Sequence, residues 1–506
     1  MSGLVTACGK PDIGKVNAMF QRIKHRGPDA SGVFERNGII MAQNYLEADG
    51  GTGRGDVKIP VSSSRNENLR ICYDGQMGNW ADLARPCEIS DGPFREEQLL
   101  LHLYEQQGTD MLHRLNDTIF ALAISDGDGF LAARDVLGIK TLFYGWKDQT
   151  LYLASELKSI VAVTDEVYEF PPGHYMDRRG RLTQFARLPD APPEVLDADV
   201  DDMMEEIRAI IRRSLLSRVD FRVPTGSLLS GGIDSSVIAC LAGKAYREKF
   251  GNDARLKTFS LGVGESDDIK NARAVADHIN SDHHELIVDF GQILTVLPEV
   301  IYYLESYDPS LVRSAVSNFL ISQYAYQQGI QVLLSGEGGD EVFCGYTYLK
   351  DFPIEELFVR QMECLGFLHN NASLRLDRMN QCNGVRVVAP LISGELLNYS
   401  LAIPAEYKQK TQGEQRIEKW IFRRAFESLL PQKVVWRFKQ EFSQGSGSAD
   451  LLPAYFEDVL TDEELAEAQA AYPMVRSKEE LYYFRVFTEH FGTDRAAETV
   501  GQWISL

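Results

Sequence analysis

Hydrophobic residues between positions 1 and 187 form short runs that are separated by glycine-containing or polar turns. The runs of strand length are Gly38–Ala42, Leu69–Tyr73, Thr118–Ile124, Phe130–Ala133, Leu142–Gly145 and Leu151–Ala154. Among them, Glu96–Gln107 has the spacing of an amphipathic helix. Short runs bounded by turn residues are typical of β-strands. The pattern predicts a mainly β domain with few helices.

The pattern changes in the second half of the chain. Helical segments at Met203–Leu216 and Ser314–Gln327 alternate there with the apolar runs Leu256–Leu261 and Gln331–Leu334. This alternation predicts a parallel sheet covered by helices. The stretch Leu188–Asp202 is rich in Pro, Asp and Ala, which indicates a linker. We therefore predict an N-terminal domain of residues 1–187, a linker of residues 188–202 and a C-terminal domain of residues 203–506.

Composition narrows the class of protein. A chain of 506 residues with 44% hydrophobic and 25% charged residues fits a soluble, two-domain globular protein. A net charge of −21 argues against a nucleic-acid partner. No apolar run reaches the ~18 residues that a membrane span needs, and the N-terminus lacks a signal-peptide pattern. The seven cysteines are scattered, which predicts reduced thiols in the cytoplasm rather than disulfides or zinc ligands.

The most informative segment is Leu228–Ser236, with the sequence LLSGGIDSS. An apolar pair followed by small residues and then an apolar stretch predicts a strand end, a tight turn and a helix N-terminus. Backbone amides at such a turn bind anions, and small side chains allow a phosphate to approach. The hydroxyls of Ser235 and Ser236 add donors. Asp234 would repel a phosphate unless a divalent cation lies between them, which predicts Mg²⁺.

Two further apolar runs, Phe259–Val263 and Leu333–Glu341, end in small residues next to carboxylates, as a phosphate and metal site would require. Ligands of open parallel sheets bind at the carboxyl ends of strands, so Asp340 is expected to share Mg²⁺ with Asp234. The glycines around Asp340 favour close backbone approach over a solvated acidic turn. Lys439 is a candidate for stabilising negative charge, with a surface lysine as the alternative.

The segment Ser230–Ser235 resembles the pyrophosphate loop of the ATP pyrophosphatases, which cleave ATP between its α and β phosphates. The whole chain resembles the glutamine-dependent asparagine synthetase family, with matching pieces in the same order nearly end to end. These pieces are His25–Asp29, Ala133–Gly138, Ala154–Lys158, Leu229–Ser236, Tyr307–Asp308, Arg313–Ser314, Ser335–Glu341, Gly345–Tyr346, Arg437-x-Lys439 and Tyr482-Tyr483-x-Arg485. The resemblance implies an α+β N-terminal β-sandwich of the Ntn-hydrolase type and an α/β parallel-sheet ATP-pyrophosphatase domain of the adenine nucleotide α-hydrolase type. It also admits a homodimer.

The resemblance further implies a reaction and a set of residues for it. The family adenylates a carboxylate with MgATP, after which an amine attacks the acyl-adenylate to give an amide. The implied residues are Ser230, Gly231, Gly232, Asp234, Ser235 and Ser236 for pyrophosphate, Leu229, Val263, Ser335 and Gly336 for the nucleotide, and Asp234 with Asp340 for Mg²⁺. Glu337 would accept a proton from the amine, and Lys439 would stabilise the adenylation transition state.

The N-terminal half departs from the family pattern. The family's glutaminase nucleophile is an N-terminal cysteine, whereas this chain has Ser2, a weaker nucleophile. No arginine stands at Gln43–Tyr45 to hold the substrate carboxylate, and Asp74 replaces an asparagine of the oxyanion hole. Glu96 stands where the family has an aspartate. These differences predict that the protein uses free ammonia or another amine without hydrolysing glutamine.

The segment Arg386–Ser393 corresponds to part of the family's substrate pocket. It reads RVVAPLIS, and its charges differ from those of the family's segment. Arg313, Tyr346 and Arg386 are candidate contacts to a small carboxylic acid. The predicted function is an AMP-forming amide synthetase with ATP and Mg²⁺ as cofactors. An internal lactam synthetase, a non-catalytic nucleotide-binding homologue and a Ser2 amidohydrolase are the alternatives.

Overall fold

The computed structural model describes residues 2–46, 59–264, 266–439 and 450–503. The chain forms two compact units, residues 1–188 with 490–500 and residues 189–489 with 501–506. The domain limits at residues 187 and 203 stay a prediction. A helix at Val200–Arg218 begins inside the predicted linker, and the Asp199 backbone is extended immediately before it.

The first unit contains two antiparallel six-stranded sheets, with strand orders β10-β8-β9-β1-β3-β2 and β12-β11-β7-β6-β5-β4. Its strands are β1 (Ser2–Cys8), β2 (Ala30–Arg36), β3 (Ile39–Tyr45), β4 (Val61–Ser62), β5 (Arg70–Met77), β6 (Thr118–Ser125), β7 (Phe130–Arg134), β8 (Phe143–Lys147), β9 (Thr150–Ala154), β10 (Val167–Glu169), β11 (His174–Asp177) and β12 (Leu182–Gln184). Its helices before residue 188 are α1 (Ile13–Arg22), α2 (Trp80–Ala84), α3 (Arg95–Gln107) and α4 (Leu157–Ile160), with 3₁₀ turns at Lys24–Arg26, Arg85–Cys87 and Gly108–Arg114. The β-rich N-terminal fold is confirmed.

Alternating side chains of the two sheets bury a shared apolar core. Leu4 and Met41 from one sheet pack with Ala121 and Ala132 from the other. The opposite face of the second sheet packs against α3 through residues such as Leu100. Strands β1, β7 and β9 are buried at every position, and strands covered on both faces give continuous apolar runs in the sequence.

The second unit contains a parallel five-stranded sheet of order β15-β14-β13-β16-β17. The strands are β13 (Thr225–Leu228), β14 (Lys257–Val263), β15 (Asp282–Val288), β16 (Val332–Leu334) and β17 (Arg386–Val388), and a separate hairpin is formed by β18 (Gln409–Gln412) and β19 (Gln415–Glu418). Successive strands are added outward from β13 on one side and then on the other, so the order reverses between β13 and β16. The predicted parallel-sheet domain is confirmed.

Helices connect these strands and cover the sheet. They are α5 (Val200–Arg218), α6 (Ile233–Phe250), α7 (Asp267–Ile279), α8 (Phe290–Leu304), α9 (Pro309–Gln327), α10 (Gly339–Val342), α11 (Leu357–Phe367), α12 (Ala372–Gln381), α13 (Gly394–Ala402), α14 (Ala405–Lys408), α15 (Trp420–Phe426), α16 (Gln432–Val435), α17 (Leu451–Val459), α18 (Asp462–Ala471) and α19 (Lys478–Phe491). The last helix, α20 (Arg495–Glu498), belongs to the first unit. Further 3₁₀ turns lie at Thr347–Asp351, Ile354–Glu356 and Leu368–Asn370. Within the described ranges, no helix has the length and apolar character needed to cross a membrane.

Candidate active site

A cavity of about 200 Å³ opens at the carboxyl ends of β13 and β16 in the second unit. The strand order of the sheet reverses between these two strands, and ligands of open α/β sheets bind at such a point. The two segments that leave the strands there are Leu229–Gly232 and Ser335–Gly338. Both had been singled out from the sequence, and the sheet brings them together.

The first segment forms a tight loop before α6. Gly231 has a φ of +74°, and a Cβ there would lie 2.6 Å from the backbone nitrogen of Ala272. The Ser235 hydroxyl accepts a hydrogen bond from the Ser230 backbone N–H at 3.1 Å, and Ser236 Oγ donates to the Gly232 carbonyl at 2.7 Å. These bonds fold the loop back on the helix N-terminus, a geometry suited to anions.

The second segment, Ser335–Gly338, packs against this loop so closely that no side chain fits between the two backbones. A Cβ at Gly336 would clash with the backbone of Ser235, and a Cβ at Gly339 would clash with the Asp234 carboxylate. Glycine is therefore required for the two turns to meet. The close approach places Asp234 and Asp340 on the same cavity wall.

Lys419 lies between these two carboxylates, a residue that sequence reasoning missed. Its Nζ donates to Asp234 Oδ2 at 2.5 Å and lies 2.7 Å from Asp340 Oδ1, and its side chain is fully buried. Lys439 Nζ donates to the second oxygen of Asp340 at 2.7 Å. Because 185 residues separate Lys419 from Asp234, no local sequence pattern marks this lysine.

The two lysines set the protonation of the carboxylate. Burial alone would raise the pKa of Asp340, but the ammonium groups of Lys419 and Lys439 hold that pKa below its usual range. Burial alone would lower the pKa of Lys439, and the charges of Asp340 and Asp234 raise it instead. Asp340 and Lys439 are therefore both charged at neutral pH, so the site presents fixed charges of both signs to a ligand.

The donor set is compatible with a magnesium ion. Asp234 Oδ1 is buried and accepts no hydrogen bond from the described residues, so it has a lone pair to offer a cation. No group of three or more His, Cys, Asp or Glu side chains is placed to hold a metal by itself in the described part of the chain. Mg²⁺ keeps few protein ligands and takes the rest from phosphate oxygens and water, which fits two carboxylates beside a phosphate loop.

Glu337 follows the second turn and faces a different set of partners. Arg375 of α12 donates from Nη2 to Glu337 Oε1 at 2.9 Å, and its other terminal nitrogen binds the Asn318 side chain of α9. Glu337 Oε2 makes no hydrogen bond to any residue in the described ranges. Arg375 thus fixes the orientation of the carboxylate and leaves one oxygen available, and no sequence motif marks this arginine.

A neighbouring carboxyl group, Glu341, is buried behind the cavity wall. Tyr346 donates its hydroxyl to Glu341 Oε1 at 2.7 Å. Burial, together with the charges of Asp340 and Glu337, raises the pKa of Glu341 to about 7. Burial and the nearby Glu341 also raise the pKa of Tyr346 well above its usual value, so this hydroxyl stays protonated.

Most of the residues singled out from the sequence line this one cavity. They are Leu229, Ser230, Gly232, Asp234, Ser235, Ser335, Gly336, Glu337, Asp340, Tyr346 and Lys439. The remaining ones in this unit lie outside its lining as the described residues form it: Gly231, Ser236, Val263, Arg313 and Arg386. Gly231 and Ser236 still shape the loop from behind.

The two candidate arginines have other surroundings. Arg313 donates from Nε to Glu479 Oε1 at 2.9 Å and pairs with the second oxygen through Nη2, a bidentate pair that ties α9 to α19. Arg386 begins β17 and is buried. Neither guanidinium reaches the cavity, because each belongs to a packed element beside it. Their contact with a carboxylate substrate stays a prediction.

The first unit holds a second cluster of charged groups, around Ser2 at the start of β1. The Ser2 backbone N–H donates to Asp74 Oδ1 at 3.2 Å. Arg26 is fully buried and pairs with Asp74 at 2.8 Å and with Glu156 at 2.8 Å, and Lys140 lies 3.5 Å from Asp74. The Asp74 carboxylate therefore faces two cations.

The other positions at which this chain departs from the family pattern, Gln43, Asn44 and Glu96, also form hydrogen bonds. Asn44 Oδ1 accepts a hydrogen bond from the Gly3 backbone N–H at 2.6 Å, and Gln43 donates to the Tyr73 carbonyl at 2.8 Å. Glu96 accepts from the Tyr73 hydroxyl at 2.7 Å. Most polar groups around Ser2 are therefore hydrogen-bonded to one another, while the buried Oε1 of Gln43 accepts no hydrogen bond from the described residues.

An antiparallel sandwich with a charged cluster at its first strand, joined in one chain to a parallel-sheet nucleotide site, defines an amidotransferase-type synthetase. The glutamine amidotransferase domain family matches residues 1–184, and the asparagine synthase family matches residues 206–363 and 353–502. The chain belongs to the asparagine synthetase family. It is accordingly an ATP-dependent ligase that forms C–N bonds and releases AMP and pyrophosphate.

Relatives from distant organisms cover nearly the whole chain. A probable glutamine-hydrolyzing asparagine synthetase of Dictyostelium discoideum is 30% identical and spans 97% of this chain and 93% of its own length. Glutamine-hydrolyzing asparagine synthetases of Zea mays and Saccharomyces cerevisiae are 29% and 31% identical, over 99% and 97% of this chain and 88% and 93% of their own lengths. The match therefore includes both units.

These comparisons overturn one prediction. The expectation of amide synthesis without glutamine hydrolysis is wrong, because the relatives are glutamine-hydrolyzing enzymes and the N-terminal residues match an amidotransferase domain. Asp74 would repel an oxyanion if it stood alone, but Arg26 and Lys140 neutralise it in the folded protein. The lactam synthetase and the non-catalytic homologue are not favoured either.

Proposed function

We propose that this protein makes asparagine from aspartate with ATP, and takes the nitrogen from the amide group of glutamine. The observation that carries the proposal is a cavity lined by a phosphate loop, by Asp234 and Asp340, by Lys439 and by the Glu337–Arg375 pair, with Lys419 buried behind the two aspartates. These are the groups needed to activate a carboxylate with ATP and then to accept a proton from ammonia. The names of the relatives support the choice of aspartate and glutamine.

The phosphate loop would hold the triphosphate. Backbone amides and hydroxyls of Ser230 and Ser235 would donate to its oxygens at the N-terminus of α6. Asp234 and Asp340 would hold Mg²⁺, which neutralises phosphate charge when it is bound. Leu229 and Ser335 lie on the same wall and would contact the nucleotide.

Adenylation would then proceed by attack of a substrate carboxylate oxygen on the α-phosphorus, with pyrophosphate as the leaving group. Negative charge gathers on the phosphate oxygens in this step. Lys439 is placed to stabilise that charge, because its ammonium group lines the cavity while Asp340 holds it in position. Lys419 would keep the two carboxylates at a fixed separation.

Amide formation needs a base. Ammonia that attacks the acyl-adenylate carries an excess proton once the C–N bond forms, and AMP leaves with the electrons of the broken C–O bond. Glu337 Oε2 is available to accept the proton, while Arg375 fixes the other oxygen. The presence of the Glu337–Arg375 pair argues for an external amine as the nucleophile, rather than an amine of the substrate itself.

Glutamine hydrolysis would take place in the first unit. After removal of Met1, the Ser2 hydroxyl would attack the glutamine amide carbon, with its own α-amine as the base. The amide C–N bond would then break as the amine passes its proton to the departing ammonia, and water would hydrolyse the glutamyl ester to glutamate and free Ser2. Arg26 and Lys140 neutralise Asp74 next to this position, so a developing oxyanion would meet a less repulsive field than the sequence suggested.

The test is to supply MgATP and L-aspartate with either amide-¹⁵N glutamine or ¹⁵N ammonium, and to measure labelled asparagine, AMP and pyrophosphate. We expect labelled asparagine from both donors. Ser2→Ala should abolish the glutamine-dependent product and leave the ammonium-dependent product, since the synthetase site is unchanged. Ser2→Cys should increase glutamine-dependent turnover, because a thiol is the stronger nucleophile.

Two results would contradict the proposal. Glutamine-dependent asparagine that survives Ser2→Ala would remove Ser2 from the hydrolysis, and AMP formation without aspartate dependence would remove aspartate as substrate. Ser31→Ala, a change at a polar position of β2 in the same unit, is the matched control.

We also propose a reducing compartment such as the cytoplasm, and a homodimer as the assembly. All seven cysteines are free thiols, which supports the first part. Light scattering of the purified protein at several concentrations measures the second, and a mass of one chain throughout would contradict it.

A further inference from the structure

We propose that Trp503 determines the size of the carboxylic acid that this active site accepts. The inference rests on the proposed function and names a residue that neither the sequence motifs nor the family comparison pointed to. Trp503 lines the same cavity as Glu337 and Arg375, and its ring packs on that of Tyr346, another lining residue. A bulky ring at that place sets how far a substrate side chain can extend.

Trp503 sits in a tight group of aromatic rings. Its ring centroid lies 5.8 Å from that of Tyr346, 6.2 Å from that of Tyr348 and 5.1 Å from that of Phe367. The residue is 8% exposed, so the indole is held by packing rather than lying loosely on a surface. Such a ring cluster forms a rigid wall, because each ring blocks the rotamers of the next.

The backbone of Trp503 is also fixed on both sides. Its N–H donates to Asp308 Oδ2 at 2.9 Å, and its carbonyl accepts from Arg476 Nη1 at 3.0 Å. Arg476 in turn binds Asp308 at 3.0 Å and Glu480 at 2.9 Å. Asp308 caps the N-terminus of α9, which ties Trp503 to the helix that forms the adjoining wall.

Helix α9 sets the direction of the cavity. Ser310, Ser314 and Asn318 line it from one face of the helix, at the four-residue spacing that places side chains in a row. Asn318 binds Arg375 next to Glu337, whereas Ser310 lies two residues after Asp308, the residue that holds Trp503. Eight residues of helix rise about 12 Å, so Ser310 and Asn318 mark the two ends of this wall, and the backbone of Trp503 is tied at the Ser310 end while its ring packs on Tyr346.

A substrate whose reactive carboxylate lies near Glu337 would extend along α9 toward Trp503. A short acid fits in front of the ring, and each added methylene brings it closer to the aromatic wall. The indole N–H makes no hydrogen bond within the described ranges, so the ring also offers one donor to the far end of a substrate. Serine hydroxyls of α9 complete a polar lining suited to a carboxylate and an ammonium group.

The test compares the parent protein with Trp503→Ala and Trp503→Phe in ATP–pyrophosphate exchange, with L-aspartate, L-glutamate and L-2-aminoadipate as substrates. We expect Trp503→Ala to raise the ratio of kcat/KM for glutamate to that for aspartate at least 10-fold, since one methylene is worth roughly 10- to 200-fold in a shaped pocket. Trp503→Phe should give an intermediate ratio, and the KM for ATP should stay within about twofold.

A second readout is tryptophan emission during titration with L-aspartate in the presence of a non-hydrolysable ATP analogue. The chain has five tryptophans. The emission change should persist in Trp146→Phe, a matched change in the first unit, and disappear in Trp503→Phe.

The proposal is overturned if both Trp503 variants keep the parent's order and ratio of acids, or if Trp503→Phe keeps the emission change. Failure of the proposed function looks different. In that case the parent does not adenylate aspartate, yet any acid that supports exchange still reports whether Trp503 limits size. If no acid supports exchange, the emission titration with the same three acids decides the matter, and an unchanged response in Trp503→Phe refutes the inference.

Discussion

The ammonium group of Lys419 lies 2.7 Å from Oδ1 of Asp340, and the same ammonium group reaches Asp234 at 2.5 Å. The two carboxylates implied as magnesium ligands are therefore joined by a cation that belongs to the protein. Lys439 adds a second cation on the outer oxygen of Asp340. These two aspartates and two lysines carry no net charge as a group, so the two cations offset the repulsion that the carboxylates would otherwise exert on the phosphates of ATP.

Replacing Lys419 by Met should destabilise the protein. Asp234 and Asp340 would lose a buried partner, although their side chains are 16% and 19% exposed, so we expect a loss of about 2 kcal/mol in the free energy of unfolding rather than the larger loss of a fully buried pair. Mg²⁺ should then raise the melting temperature of Lys419→Met more than that of the parent. Scanning fluorimetry in EDTA and in excess Mg²⁺ measures this difference.

Lys433→Met, at an exposed position of α16, is the control for loss of a lysine and should behave like the parent. An equal Mg²⁺ shift in the parent and in Lys419→Met would mean that the two aspartates do not bind the ion.

Glu337→Gln should separate the two half-reactions. The amide keeps the shape of the side chain and an oxygen for Arg375, but it cannot accept a proton. We expect ATP–pyrophosphate exchange to remain within about threefold of the parent, and asparagine formation to fall by roughly 10²- to 10⁴-fold, the usual contribution of a general base. Glu299→Gln on the exposed side of α8 is the control. Parallel loss of both half-reactions would instead indicate that Glu337 organises substrate binding.

Lys439→Met should act on the earlier step. The ammonium group is expected to stabilise charge on the phosphates as pyrophosphate leaves, so exchange should fall by about 10²- to 10³-fold, as when one charge-stabilising donor is removed. Binding of MgATP should weaken far less, because the phosphate loop and Asp234 remain. Exchange rates and calorimetric binding of an ATP analogue check the two expectations, and a loss confined to binding would contradict the catalytic role.

Much of the fold was predictable from the sequence, because the signals are local. The run Thr118–Ile124 corresponds to β6 at Thr118–Ser125, and the predicted helix Glu96–Gln107 to α3 at Arg95–Gln107. Segment ends differed more in the second unit, where the helix predicted to start at Ser314 begins at Pro309. Asp308 caps that helix and proline occupies its first position, and both residue types are sequence signals of a helix start.

The candidate site was only partly predictable, for a physical reason. Asp234, Glu337 and Asp340 stand in glycine-rich turns at strand ends, where spacing itself indicates chemistry. Lys419 and Arg375 come from other elements, and only the folded chain brings them to the cavity. Arg313 is the opposite case. The sequence makes it a candidate contact to the substrate, whereas in the folded chain its guanidinium pairs with Glu479.

Glu341→Gln should change how stability depends on pH. Glu341 is buried, and its pKa is raised from 4.5 to about 7 in the folded protein. Between those values the folded state binds a proton that the unfolded chain has released, so stability falls as pH rises from about 4.5 to 7 and then stays level. A shift of this size corresponds to roughly 3 kcal/mol. Glutamine is uncharged throughout and still accepts the Tyr346 hydrogen bond, so this contribution should vanish in the variant.

The measurement is urea unfolding of the parent and of Glu341→Gln at pH 5 and pH 8. The parent should lose more stability than the variant between the two values, so the variant gains relative to the parent at pH 8. Glu355→Gln, at an exposed position, should track the parent. A difference of the opposite sign would mean that Glu341 is ionised in the folded state, held by the lysines across Asp340 rather than neutralised by burial, and the charge balance of the whole site would then have to include one more anion.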